Sequence, residues 1–258
     1  MKATNNRSTY NLGFVLSGGG ARGFAHLGAI QALLEKGIVP DIISGTSAGA
    51  LAGAFLADGY MPEEILEIFS HRSVREFTGF SISRAGLFNT NKMIEFLKKH
   101  LRARTFEDLR ITLHVTATDF ERGVCHDFHE GPLLAPLAAS CSIPIIFSPT
   151  VVAGRQYVDG GLLKNLPASI IRDQCEEIIG ISLNPIYMDK YKDSFKGVAE
   201  KSFHCILNSN TGADKPLCDI LIEPENIHKY SMFDVQYAKV IYNAGYKTVR
   251  IYFANKAG

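Results

Sequence analysis

The chain has 258 residues, 46% hydrophobic and 21% charged, a composition that excludes a disordered chain and suits one large folded domain. Lysine and arginine number 27 against 26 aspartates and glutamates, a net charge of +1; this excludes the basic surplus of a dedicated nucleic-acid binder, so no nucleic-acid partner is expected. Five cysteines, scattered at 125, 141, 175, 205 and 218, form neither a disulfide framework nor a C-x-x-C metal pair and point to a reducing, cytoplasmic setting.

Residues 1–10 are polar and read as a tail, with a single domain over 11–258. The apolar run 12–16 is too short for the core of a signal peptide, and its neighbour 13–17, ending in glycines, predicts a buried strand. Residues 24–36 have helical spacing, with Leu27, Ile30, Leu33 and Leu34 on one face and Gly37 placed to end the helix. A second strand is expected over 38–44, then a tightly buried helix of small residues over 47–57 closed by Gly59. Helices follow over 62–69 and 91–101, and Thr105 is placed to cap a short turn. The β-branched run 110–117 predicts a strand, with 124–128 returning beside it across the turn at Glu121, Arg122 and Gly123. A short helix over 133–140 precedes a hairpin, 150–153 with 156–158, about Gly154. A helix over 167–174, a strand over 177–183, a mobile helix within 190–211, a strand over 219–222 and a terminal helix over 235–254 complete the chain. Two long stretches lack charge, 42–57 and 131–154, but glycines fill the first and four prolines interrupt the second, so neither reads as a membrane span. Strands alternating with helices predict a mostly parallel sheet with helices on both faces.

Three motifs carry chemistry. Gly18-Gly19-Gly20-Ala21-Arg22-Gly23 lies between a strand and a helix, where glycines free backbone N–H groups to meet negative charge, a phosphate or an oxyanion. Gly45-Thr46-Ser47-Ala48-Gly49 is a G-x-S-x-G in the same context, the setting of a nucleophile elbow. Asp159-Gly160-Gly161 follows the hairpin and presents a carboxylate on a sharp turn. Each has an ordinary reading alone. The first matches a dinucleotide fingerprint, but Asp41 opens the second strand instead of ending it. The second could be a plain helix N-cap and the third a simple turn. Their combination and order carry the signal.

In that order the motifs resemble the patatin-like phospholipase family, and the resemblance extends to Ala139-Ser140-Cys141-Ser142-Ile143-Pro144 and Asn165-Leu166-Pro167. It covers about residues 12–185, and the length is similar to that of a bacterial single-domain member. The resemblance implies a three-layer α/β/α sandwich and a catalytic dyad, Ser47 as nucleophile and Asp159 as base. It implies an oxyanion hole in the loop of Gly18, Gly19, Gly20, Ala21, Arg22 and Gly23, formed by the N–H groups of Gly19, Gly20 and Ala21. Arg22 would hold a lipid phosphate or buttress the loop, and Gly45, Gly49, Gly160 and Gly161 would give the motifs their turns. The implied activity is acyl-ester hydrolysis of phospholipase A or lysophospholipase type on a lipid, with transient membrane-surface contact and no cofactor.

Three other readings stay open. A Ser-Asp-His esterase would recruit His204 or His228, both read as surface histidines. An adaptor could keep the fold without chemistry, and the glycine loop could serve dinucleotide or acyl-carrier chemistry. No metal is expected in the run Cys125-His126-Asp127-Phe128-His129, because positions 126 and 129 of a strand face opposite sides. Phe77, Phe80, Ile82, Leu87 and Phe88 are expected to line an acyl pocket or form a lid, with Arg72, Arg75 and Arg84 flanking them. The terminal helix, through Val235, Ala238, Ile241, Tyr242 and Val249, packs on the domain or on a second copy, and oligomeric state is left open.

Overall fold

In the computed structural model, which describes residues 10–70, 79–83, 86–183 and 194–256, strand β1 (Tyr10–Leu16) is paired in parallel on both edges, by β2 (Ile42–Thr46) and β9 (Cys175–Ile181). Parallel pairing continues outward to β5 (Thr112–Asp119) beside β2 and β10 (Ile220–Ile222) beside β9. Antiparallel strands finish the sheet. β8 (Arg155–Asp159) takes up residues 117–119 of β5 beyond the end of β2 and pairs in turn with β7 (Thr150–Val152). β6 (Val124–Phe128) uses overlapping residues of β5 and so lies on its opposite edge. The hairpin of β3 (Gly79–Ser83) and β4 (Gly86–Asn89) stands apart.

The central strands read as continuous apolar runs because helices cover both faces. Phe14, Leu16, Ile43, Leu113 and Val115 enter a core shared with helices α1 (Phe24–Leu34), α2 (Ala48–Ala57), α3 (Pro62–Ser70), α4 (Asn91–His100), α5 (Leu134–Ser140) and the terminal α8 (Ala238–Lys256). Val15, Ile42 and Ile178 point the other way, against Leu166 and the short α6 (Ala168–Ile171). The result is a three-layer α/β/α sandwich with unequal outer layers. The terminal helix packs on the domain: Ile241, Tyr242 and Val249 are buried in the main core. Gly28 of α1 lets the two helices close up, since a Cβ there would stand 1.9 Å from the Tyr242 carbonyl oxygen. Helix α7 (Phe195–Thr211), whose N-cap Ser194 Oγ accepts from Gly197 N–H at 3.1 Å, sets Leu207 against Gly161.

Several boundaries differ from expectation, each for a local reason. The second strand begins at Ile42, not 38. Pro40 has no N–H to give a ladder, and the Asp41 carboxylate instead accepts the N–H groups of Asn11 and Leu12, both at 3.0 Å. The helix expected over 167–174 is a single α-helical turn followed by a 3₁₀ turn, Arg172–Gln174. There the Arg172 guanidinium donates to the carbonyls of Leu217, Cys175 and Glu176, which draws β9 in from Cys175. Thr105 does cap its turn, in a reciprocal box with Asp108. Among the described residues no helix is long and apolar enough to cross a membrane.

Candidate active site

Parallel neighbours β1 and β2 both end at the same edge of the sheet, and each turns at once into a helix. That juxtaposition brings the first two motifs together. Ser47 links β2 to α2 at φ 53°, ψ −119°, a region non-glycine residues rarely occupy and which costs about 1–3 kcal/mol. The surroundings hold it there. Its N–H donates to Ser140 Oγ at 2.8 Å, and the Ser140 hydroxyl donates to Thr116 O at 2.7 Å. Gly49 lies so close to β1 that a Cβ would meet Leu16 O at 2.2 Å. The nucleophile candidate is therefore fixed at a helix N-terminus by groups from β5 and α5.

The glycine loop is held from later in the chain. Gly18 N–H donates to the main-chain and side-chain oxygens of Asn165, at 3.2 and 3.1 Å. Ala21 N–H donates to Met232 O at 2.8 Å and Arg22 N–H to Gly19 O at 3.2 Å. The expected donor set therefore changes: Ala21 is already engaged. Among the described residues the N–H groups of Gly19 and Gly20, and of Ala48 at the start of α2, have no acceptor. Gly20 sits at φ +59°, and a Cβ there would stand 2.4 Å from Met232 O. His26 braces the loop from below, its Nε2–H on Ser17 O at 2.7 Å; burial lowers its pKa to about 4 and keeps the ring neutral.

Of the two roles open to Arg22, the geometry matches the buttress. The side chain is buried, with Nε on Tyr230 O at 2.8 Å, Nη2 on His228 O at 3.3 Å and Nη1 3.5 Å from His204 Nδ1. His204 and His228 are accordingly half-buried beside Arg22 and not on the open surface as expected. Burial, then the Arg22 charge, lowers the His204 pKa to about 3.

Asp159 ends β8 opposite Ala117 and is 1% exposed. Its Oδ1 accepts Gly161 N–H at 2.8 Å, while buried Oδ2 meets no hydrogen-bond partner at ordinary distance among the described residues. Burial pushes the carboxyl up to about 7; the Gly161 N–H and the Ser47 hydroxyl pull it part of the way back. A carboxyl so placed can act as a base near neutrality. Gly160 fits beneath it only without a side chain, since a Cβ would lie 2.3 Å from Thr116 O. The neighbouring Cys141 thiol is held protonated by burial and by the Asp159 charge.

From Ser47 a cleft of about 160 Å³ opens between α1, α2, α3 and α4, with walls including Phe24, Leu27, Leu51, Ile65, Met93 and Phe147. Of these, Leu27 is one of the residues that helical spacing places on a single face of α1. Of the expected acyl-pocket segment, Phe88 packs on Phe147 of the cleft wall at 6.3 Å between ring centres. Phe80, Ile82 and Leu87 fall on the β3–β4 hairpin, whereas Phe77, Arg72, Arg75 and Arg84 lie outside the described residues.

The run 125–129 divides between the two faces of β6. His126 lies against Phe128 and Tyr157. Asp127 and His129 instead meet His114 of β5, with Asp127 Oδ2 at 2.7 Å from His114 Nδ1 and 3.0 Å from His129 Nδ1. The expectation of no converging ligands considered one strand alone, and the third group comes from its neighbour.

The family model described as "Patatin-like phospholipase" matches residues 14–171. An uncharacterised NTE family protein of Mycobacterium bovis is 36% identical over 180 residues, covering 69% of this chain and 50% of that protein. The uncharacterised protein YqhO of Bacillus subtilis is 31% identical over 220 residues, covering 72% of this chain and 76% of that one. The crystal structure of VipD from Legionella pneumophila superposes with a TM-score of 0.55 at 17% identity, covering 94% of this chain and 66% of that one. The chain spans about half the length of the mycobacterial relative it matches.

Proposed function

The chain belongs to the patatin-like phospholipase family, and on that premise we propose that it hydrolyses lipid acyl esters through a Ser47–Asp159 dyad. One observation carries the reading: a strained serine at a helix N-terminus lies beside a buried carboxyl held near pH 7. Ser47 attacks the ester carbonyl and Asp159 takes its proton. The N–H groups of Gly19, Gly20 and Ala48 receive the oxyanion, donors of a kind worth roughly 10²–10³ in rate each. Asp159 passes the proton to the leaving alcohol, and the acyl-enzyme is then hydrolysed by water that the same carboxylate activates. The apolar cleft accepts the acyl chain, which suits a phospholipase A or lysophospholipase type of substrate at a membrane surface. No metal or organic cofactor takes part in these steps.

The test is a fluorescent alkyl fluorophosphonate with the adduct located by mass spectrometry. Labelling at Ser47, absent in Ser47→Ala and sharply reduced in Asp159→Asn, supports the dyad. Undiminished labelling of Asp159→Asn overturns it and returns His204 and His228 to consideration. A folded wild-type protein that takes no label at Ser47 overturns the enzyme reading in favour of an adaptor.

A further inference from the structure

We propose that His114, Asp127 and His129 form a binding site for zinc, or a similar borderline first-row divalent cation, that clips edge strand β6 to β5. The two histidines are directly opposed across the strand pair, one register step beyond Val115 and Phe128. Their rings stack at 4.9 Å with planes 20° apart. Asp127 is two residues before His129 and so shares its face of the strand. All three ligand atoms lie within 4.8 Å of one another. The site is on the face of β5 opposite Leu113 and Val115, away from the apolar cleft.

The hydrogen bonding is lopsided in a way a cation would correct. Both imidazoles donate Nδ1–H to the same carboxylate oxygen, Oδ2, while Oδ1 is buried and has no partner among the described residues. A tetrahedral zinc with bonds near 2.0–2.2 Å needs donors roughly 3.3–3.6 Å apart. The observed 2.7 and 3.0 Å are proton-sharing distances that open to that value with shifts of about half an ångström. On binding, each ring moves its proton from Nδ1 to Nε2, so both Nδ1 lone pairs face the metal and no proton is lost overall. Two imidazole nitrogens and one carboxylate oxygen suit zinc and its neighbours in the first row, whereas magnesium and calcium favour all-oxygen sets. His129, 51% exposed, leaves a fourth position for water.

The role follows from the topology. Among the described residues β6 pairs only with β5, and Asp127 stands opposite Thr116, whose carbonyl anchors the Ser140 hydroxyl that receives Ser47 N–H. A cation tying β6 to β5 steadies the strand on which the serine turn depends.

The experiment uses the full chain without a histidine tag, stripped with chelator and titrated with ZnCl₂ by calorimetry, with metal content by elemental analysis and Co²⁺ absorption as the coordination readout. We expect about one zinc per chain, a melting temperature that rises with zinc, and no uptake of Mg²⁺. His129→Ala, whose ring is half exposed, and Asp127→Asn should each bind at least tenfold more weakly and lose the thermal shift, with unchanged circular dichroism. Absence of zinc binding by the folded wild-type chain overturns the proposal. So does binding that both variants retain, which would place the metal elsewhere.

Discussion

The turn after β1 and the turn after β2 lie side by side and meet the same geometric demand in opposite ways. Each must leave a strand abruptly and enter a helix with its N–H groups exposed. After β1 the left-handed position is Gly20 at φ +59°, where a side chain would strike Met232. After β2 the same demand falls on Ser47 at φ 53°, a residue with a Cβ to accommodate. The difference follows the chemistry. On the proposed mechanism, the first turn meets the substrate with its backbone, so a side chain is dispensable there. The second turn would use its side chain as the reagent, which accounts for retained strain held in place by the supports at Ser140 and Gly49.

Ser47 is where that comparison breaks most severely. Ser47→Ala should lower ester turnover by roughly 10⁴–10⁶-fold in a steady-state assay. Ser47→Gly should be equally inactive yet about 1–3 kcal/mol more stable than Ser47→Ala in urea unfolding, because glycine relaxes the turn. Equal stability of the two variants would show that the serine turn stores no strain.

Asp159→Asn should cost roughly 10³–10⁴-fold in turnover, since the base is gone while the hole remains. It should also alter stability, with a definite sign. The folded pKa is raised from 3.8 to about 7, so the native carboxyl keeps its proton where the unfolded one has lost it. That contribution is full below about pH 4 and is lost progressively as pH rises to about 7, near 1.4 kcal/mol per unit. Asp159→Asn lacks the loss, so at pH 8 it should be the more stable protein. Urea midpoints across pH 4–8 check it.

Gly20→Ala brings the first turn into conflict with Met232 and should reduce turnover by roughly 10²–10³-fold by displacing an oxyanion donor. Labelling at Ser47 by the fluorophosphonate, whose phosphoryl oxygen draws on the same donors, should fall as well. A milder effect is expected from pH: turnover should drop about tenfold per unit below pH 7 as Asp159 takes its proton. The smallest change is Arg22→Lys. An ammonium cannot reach Tyr230 O and His228 O together, so stability should fall by about 1–2 kcal/mol with turnover little altered.

The local parts of this architecture were legible from the chain. Glycines at 18–20, 45 and 49 announce tight turns because their need is set by a few neighbouring residues, and the hairpin about Gly154 is of the same kind. What escaped depends on residues far apart in sequence. Nothing near Ala21 says that its N–H is claimed by Met232, and nothing near Arg22 points to Tyr230. His129 looked unpartnered until β5 delivered His114 across the sheet. The apolar cleft was hidden differently: a lining residue such as Leu27 has ordinary core periodicity, and only the three-dimensional arrangement leaves space beside it.

The grip of Met232, Tyr230 and Asn165 on the glycine loop bears on how the protein can be cut or recombined. The stretch that matches the family ends at residue 171, and all three signature motifs lie inside it. Two of the three clamps do not. A chimaera that grafts residues 14–171 onto a foreign C-terminal third would inherit every signature motif and leave its glycine loop without two of its clamps. For this protein, the portable unit is longer than its signature.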